Sequence, residues 1–396
     1  MSGPLEGIKV LDFTCAFGGP LLTMMLAEMG ATVVKVERPD GGDETRAWPP
    51  LTEGGLSTYF AALNRSKRSL TLDLKRTEGR RIAHELADWA DIAVENFTPG
   101  VADRLAIGPR DLRGRNPRLV YCSISGFGQT GPYRERRGYD PILQAMGGLM
   151  GLTGERGRSP VKSMLPVADL MAAAFSAIAV LAALHHRERT GEGQAIDMSM
   201  LDIMAAALTT VGTAFLLTGR VPERSGTENP ARVPSAAFEC ADGVHVQLVP
   251  NQRQWPRFCR LLGLEGLADD PRFATPAARV EHQDELYPLL RERMAARPAA
   301  EWLEEFERDG IPAGPIHTLD TLFADPQVLA REIVAEIEHP AAGRLRVLRL
   351  PFRMSATPVE IRRRPPELGE DTDEVLGDLL GYPPEAIERL HADAVV

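Results

Sequence analysis

Asp169 stands at the start of a nearly all-apolar stretch, directly after Leu165-Pro166-Val167-Ala168. A carboxylate in that place has two possible occupations. As an N-cap it would accept backbone N–H groups and complement the helix dipole. As a nucleophile it would face a pocket and gain from the same N–H groups. Periodicity does not separate the two, and the capping preference of Asp favours the cap. A second candidate is Cys15, at a strand end beside a helix N-terminus where a thiolate would be stabilised. No His lies near it in the chain, so a small buried residue is the better reading. The other histidines are scattered, with no zincin pattern and no GxSxG elbow. No metal site is expected.

Cations form the next group. Arg38 follows the run Ala31–Glu37, Lys75 follows Ser69–Leu74, and Arg104 lies just beyond Asn96-Phe97. If those runs are parallel strands, their C-terminal ends share one edge of the sheet, where ligands bind. Three cations on one edge suit a polyphosphate. Singly, each would be ordinary surface. Phe17-Gly18-Gly19-Pro20 resembles a phosphate-binding turn only in outline, since GxGxxG and GxxxxGK[ST] are both absent. The glycines are read as permitting a tight strand-to-helix turn.

These residues need elements to hold them. Ile8–Phe13 is strand-length and apolar, and Leu21–Met29 is an apolar helix ending at Gly30. Ala31–Glu37 is the next strand, completing a βαβ unit. The alternation continues with strand Ser69–Leu74, helix Glu78–Trp89, strand Ile92–Glu95 and strand Leu119–Ser125. The fold class is therefore α/β, with a Rossmann-like parallel sheet covered on both faces. A long buried helix is expected over Asp169–Arg187, a strand over Gln194–Met200 and a single helix over Leu201–Thr218. Residues 219–235 read as a linker. Beyond it, a hairpin around Asp242-Gly243 and helices over Trp255–Leu262, Arg279–Ala296 and Ala300–Asp309 make a smaller α+β domain. Ile311–Pro315 breaks that pattern, and the tail carries a strand, Arg344–Leu350, and a helical region, Thr372–His391. The expected division is 1–218 large domain, 219–235 linker, 236–325 small domain and 326–396 a tail returning to the large domain.

Composition excludes several classes. The 396 residues are 44% hydrophobic and 25% charged, which is globular and large enough for more than one core. A net charge of -10 argues against general nucleic-acid binding. Four cysteines without CxxC pairing argue against a zinc ribbon or a disulfide scaffold. The stretches Leu165–Leu184 and Leu201–Leu217 are apolar but carry Asp169 and Asp202, and read as buried helices rather than membrane spans. The N-terminal residues show no secretory pattern, so a reducing cytoplasm is the expected compartment.

Several segments match a known family in order: VLDFT (Val10–Thr14), GATVVKVERP (Gly30–Pro39), NRSKRSLTLDLK (Asn64–Lys75), VENFTPG (Val94–Gly100), SGFGQTGPY (Ser125–Tyr133), PVADL (Pro166–Leu170), TGEGQ (Thr190–Gln194) and LGEDTDEVL (Leu368–Leu376). The chain resembles the family III CoA-transferases of the CaiB/BaiF type, and within them formyl-CoA transferase. That resemblance implies a Rossmann-like large domain with an inserted smaller one and an interlocked homodimer. It implies that Asp169 attacks an acyl-CoA thioester and carries first an acyl anhydride and then a CoA thioester. No permanently bound cofactor is implied; coenzyme A and its acyl thioesters are substrates, with a carboxylic acid as partner. Ala16, Arg38, Leu72, Lys75, Asn96, Phe97, Arg104, Arg137 and Met200 match CoA-contacting positions. Phe17, Trp48 and Tyr139 match positions near the acyl group. Phe17 replaces a polar amide, which disfavours oxalate and favours a larger or less polar acid. The family's glycine lid is missing, and Ser225–Pro230 stands as its replacement. The alternative on the same fold is an α-methylacyl-CoA racemase, which pairs its Asp with a His in Gly-His-Asp. Here that segment is Gly138-Tyr139-Asp140, and a phenol is a poor base near neutrality.

Overall fold

The structure, a computed structural model, describes residues 3–396. The chain forms two compact units. One contains the residues up to Leu149 together with Lys162–Thr218 and Glu332–Val396; the other contains Met150–Val161 and Gly219–Arg331. Residues 219–235, read from the sequence as a linker, thus group with the second unit, as do 150–161 and 326–331.

The first unit is built on six parallel strands: β1 (Lys9–Asp12), β2 (Thr32–Glu37), β3 (Arg68–Thr71), β4 (Ile92–Glu95), β5 (Val120–Ser125) and β6 (Ala195–Ser199). Their spatial order is β3-β2-β1-β4-β5-β6, so the order reverses between β1 and β4. The side chains alternate between two cores, as the pleat requires. Val10, Ile92, Val94 and Cys122 enter one core, whereas Leu11, Ala93 and Tyr121 enter the other. β3 is shorter than the apolar run suggested. The Asp73 carboxylate accepts the Lys75 N–H at 2.9 Å and turns the chain there.

The helices of this unit are α1 (Gly18–Glu28), α2 (Thr58–Asn64), α3 (Thr77–Trp89), α4 (Val101–Arg104), α5 (Pro109–Arg115), α6 (Asp140–Met146), α7 (Leu149–Leu152, reaching into the second unit), α8 (Val167–Thr190), α9 (Met200–Ala207) and α10 (Thr209–Thr218). α1 and α8 pack together over one face of the sheet, while α3 and α5 supply the core on the other. α8 is long and apolar enough to cross a membrane by length and composition, but it lies against α1, β5 and β6. The expected single helix over 201–218 is two, bent by 75° where Thr209 takes a positive φ of 37°. Apolarity could not reveal that break. In the tail, β11 (Gly343–Leu348) pairs antiparallel with β10 (Val334–His339), a strand the sequence reading missed. Further on, Asp371 exchanges two hydrogen bonds with Ser69, so the tail borders β3.

The second unit holds a three-stranded antiparallel sheet of β7 (Ala236–Glu239), β8 (His245–Leu248) and β9 (Ala313–Pro315). The hairpin turns at Asp242-Gly243 as expected, with Gly243 at φ 77°. Ile311–Pro315, read as a break, supplies the third strand, at an edge where proline is tolerated. The helical pattern over 279–296 splits at His282 into Pro276–Glu281 and Gln283–Met294. Phe238, Trp255, Phe258, Tyr287 and Phe306 fill the core. Ser225–Pro230 is tied down within this unit: Gly226 N–H donates to the Gly154 carbonyl at 2.8 Å, and Glu228 pairs with Arg291.

Candidate active site

The loop between β1 and α1 is held from below and from both sides. The Thr14 N–H and hydroxyl donate to Asp12 at 2.8 and 2.5 Å, and buried Lys35 donates to the Thr14 carbonyl at 2.6 Å. Lys35 also pairs with buried Asp43 at 2.9 Å. Burial would raise the Asp12 carboxyl, but Lys67, Lys35 and two threonine hydroxyls outweigh it and hold it below the usual range. Asn96 binds Cys15 through both its amide atoms. Ala16 is thereby kept at φ 67°, a conformation that residues with a Cβ avoid. The consequence is a sharp entry into α1, which brings its first residues beside Asp169.

Asp169 is not the cap of its helix. α8 has Pro166 at the N-cap position and begins at Val167, so Asp169 is its third residue. The capping contact comes from elsewhere: Asp140 Oδ1, on α6, accepts the Ala168 N–H at 2.8 Å. Asp169 is half-buried and lies against the start of α1, where a Cβ on Gly18 would sit 3.1 Å from Asp169 Oδ1. Burial first, then the neighbouring Asp140 charge, push its pKa up to about 7; the Gly18 N–H draws it partly back. A carboxyl so placed is a poorly solvated base, as a nucleophile requires.

Three aromatic rings run in contact from Phe17, the residue before Gly18. Phe17 meets Tyr59 edge-to-face at 5.9 Å between centroids, and Tyr59 meets Trp48 at 5.2 Å. Tyr59 was missed in the sequence. It is the second residue of α2, whose N-cap Ser57 accepts the Tyr59 N–H at 3.2 Å, and that serine was the available signal. Burial and the charges of Asp169 and Asp140 raise the Tyr59 pKa, so its phenol stays protonated near both carboxylates. Phe17 and Trp48 are half-buried, whereas Tyr139 is 59% exposed.

Of the sequence-predicted CoA positions, Arg38, Leu72, Asn96, Phe97 and Met200 stand at C-terminal strand ends of the one parallel sheet and Ala16 and Lys75 just beyond them, whereas Arg104 ends α4 and Arg137 lies in the chain between β5 and α6. Arg38, Lys75, Arg104 and Arg137 are exposed, and Arg38 also donates to the Gly42 carbonyl at 3.2 Å. Leu72 and Met200 belong to the cores by their side chains, so their backbones are what this edge offers. Asn96 likewise spends its amide on Cys15. The Phe97 N–H donates to buried Glu95 at 2.8 Å, and burial pushes that carboxyl up to about 7. Burial pushes the Cys15 thiol up to about 12, which disfavours its thiolate.

Residues 5–372 match the family model described as CoA-transferase family III. The chain is 41% identical over 392 residues to a succinate–glutarate CoA-transferase of Agrobacterium fabrum, covering 98% of this chain and 97% of that protein. It is 40% identical to the succinyl-CoA:glutarate CoA-transferase of Mus musculus, over 99% of this chain and 90% of that one. Among solved structures, a CaiB/BaiF family protein from Brucella suis superposes with a TM-score of 0.86 at 39% identity, over 96% of this chain and all of the other.

Proposed function

The chain belongs to CoA-transferase family III and is a CoA-transferase, and from that premise we propose that Asp169 is its nucleophile and that its acids are short dicarboxylates, with succinyl-CoA the donor. The observation that carries the reading is the Asp169 carboxylate itself. It is spared from capping its own helix, poorly solvated, and set beside Gly18 at the switch point of the sheet, where α/β folds bind their ligands.

In the proposed cycle an Asp169 oxygen attacks the thioester carbon. The C–S bond breaks, giving an acyl-aspartyl anhydride and CoA thiolate. The thiolate attacks the Asp169 carbonyl, forming an aspartyl-CoA thioester and releasing the donor acid. The acceptor carboxylate then attacks the aspartyl carbon, expelling the thiolate and forming a new anhydride. The thiolate attacks the acceptor's acyl carbon, leaving acyl-CoA and a regenerated Asp169 carboxylate. Each step exchanges one activated acyl bond for another, so water must be kept out. The ring wall of Phe17, Tyr59 and Trp48 supports this in two ways. It is apolar enough to exclude water and accept a methylene chain, and Tyr59 supplies one polar donor. It also supports a preference for dicarboxylates longer than oxalate. Arg38, Lys75, Arg104 and Arg137 are proposed to hold the CoA phosphates.

A homodimer is part of this proposal. Phe175 and Ile178 on α8 and Leu216 and Leu217 on α10 are exposed apolar side chains, the last two by 80% and 81%. A second copy would cover them. Light scattering at micromolar concentration tests this, and a monomer would refute it.

The decisive experiment incubates wild type and Asp169→Ala with succinyl-CoA and a panel of carboxylic acids. New acyl-CoA is read by mass spectrometry, and α-deuterium exchange is followed in parallel. Transfer lost in Asp169→Ala is expected. Robust turnover by that variant refutes the nucleophile, and exchange without transfer would restore the racemase alternative.

A further inference from the structure

Asp140 and Gln144 lie four residues apart on α6, hence on one helix face, and both are buried. Together they hold the chain that leads into α8. Asp140 Oδ1 accepts the Ala168 N–H at 2.8 Å, and its Oδ2 accepts Gln144 Nε2 at 2.6 Å. The same Nε2 faces the carbonyls of Leu165 at 3.1 Å and Ser163 at 3.4 Å. Gln144 Oε1 accepts the Ser163 N–H at 3.0 Å. One Nε2 hydrogen goes to Asp140 and the other to the nearer Leu165 carbonyl, so the two side chains satisfy three backbone groups between Ser163 and Ala168.

An α-helix leaves its first N–H groups unpaired, and an acid in its first turn ordinarily serves them. Asp169 is such an acid, yet Asp140 has already taken the Ala168 amide. We infer that Asp140 and Gln144 are a positioning pair for the nucleophile: they occupy the helix-end amide and fix the entry segment, leaving the Asp169 carboxylate beside Gly18 and free for substrate. This rests on the proposed role of Asp169. The groups facing Asp169 are Asp140 from α6, the Gly18 N–H from α1 and the Tyr59 phenol from α2. Of these only Asp140 brings negative charge. It therefore adds to the basicity that burial already gives Asp169, as well as leaving it free, and a more basic carboxylate is the better nucleophile.

The test uses Asp140→Asn, Asp140→Ala and Gln144→Ala in the full chain. Asp140→Asn keeps an oxygen for Ala168 but removes the charge and turns an amide toward the Gln144 amide. Its acid limb of kcat/KM should move down by at least half a pH unit, whatever its height. Asp140→Ala and Gln144→Ala should lose at least tenfold in kcat, with acyl-CoA KM within threefold of wild type. Carbon-13 titration of the Asp169 carboxyl, assigned with Asp169→Asn, should show the same downward shift in Asp140→Asn without any substrate. An unmoved titration in Asp140→Asn overturns the inference, as does wild-type kcat in Gln144→Ala. If wild type transfers no CoA, the functional reading fails instead, and the titration still decides the pair. Should Asp140→Ala fail to fold, Asp140→Asn and Gln144→Ala carry the test.

Discussion

Asn96 grips Cys15 by both backbone groups: its side-chain oxygen accepts the Cys15 N–H at 2.9 Å, and its amide donates to the Cys15 carbonyl at 2.7 Å. The two residues follow β4 and β1, the neighbours between which strand order reverses. Their contact ties together the two loops that border the switch-point crevice. It also helps keep Ala16 in its left-handed conformation and so aims the start of α1 at Asp169.

Removing that grip should loosen the turn. Asn96→Ala leaves two half-buried backbone groups without their partner, so a stability loss of about 1–3 kcal/mol is expected. Thermal unfolding measures it. Turnover should fall more than the affinity for acyl-CoA. Asn96→Asp keeps only the acceptor and should lie between wild type and Asn96→Ala.

Transfer should follow the protonation of Asp169. Its carboxyl titrates at about 7 rather than at the usual 3.8, so kcat/KM should fall as pH drops through 7. Stability runs the other way. A raised folded-state pKa means the native state binds the proton more tightly than the unfolded chain. The stabilisation is complete below pH ~4 and is lost as pH rises through 7. Asp169→Asn should therefore unfold at a higher temperature than wild type above pH 7, and at nearly the same temperature near pH 4. Equal melting temperatures at pH 8 would contradict the buried, charge-opposed setting of this carboxylate.

The aromatic wall should select the acid. Tyr59→Phe keeps the rings that touch Phe17 and Trp48 and deletes one donor. A loss of roughly 10²–10³ in kcat is expected if the hydroxyl stabilises the developing oxyanion. Phe17→Gln should narrow the preference for longer dicarboxylates over oxalate, since each buried methylene contributes about 0.8 kcal/mol to an apolar site. Rates across an acid series from two to six carbons check both. Wild type using oxalate as well as its best acceptor would remove Phe17 as a selector.

The exposed cations should act on the nucleotide end of CoA. Arg38→Ala or Arg104→Ala should weaken acyl-CoA binding by roughly 1.5–3 kcal/mol, the usual worth of a charged hydrogen bond. The effect should shrink at high salt, because these groups lie in solvent. Calorimetric titration with free CoA measures it. A shift in the acceptor KM with CoA affinity unchanged would put these residues elsewhere.

The sheet was legible in the sequence because parallel strands covered on both faces are short apolar runs, and Ile92–Glu95 and Val120–Ser125 carry that signature without ambiguity. That Arg38 and Lys75 stand just past strand ends followed from strand direction alone. The importance of Asp169 was legible too, from a lone acid heading an apolar helix, but its task was not. Capping and nucleophilic attack ask for the same residue at nearly the same place, and local pattern pointed to the cap. What relieves Asp169 of the cap is Asp140, 28 residues before Ala168, filling the Ala168 amide. The same holds for Tyr59 and Asn96, whose meaning comes from partners brought near by the fold. Local sequence determines strands, helices and turns because their hydrogen bonds and burial repeat over a few residues. Which carboxylate is spent on a helix end and which is left to react depends on contacts between distant segments, and only the tertiary structure decides it.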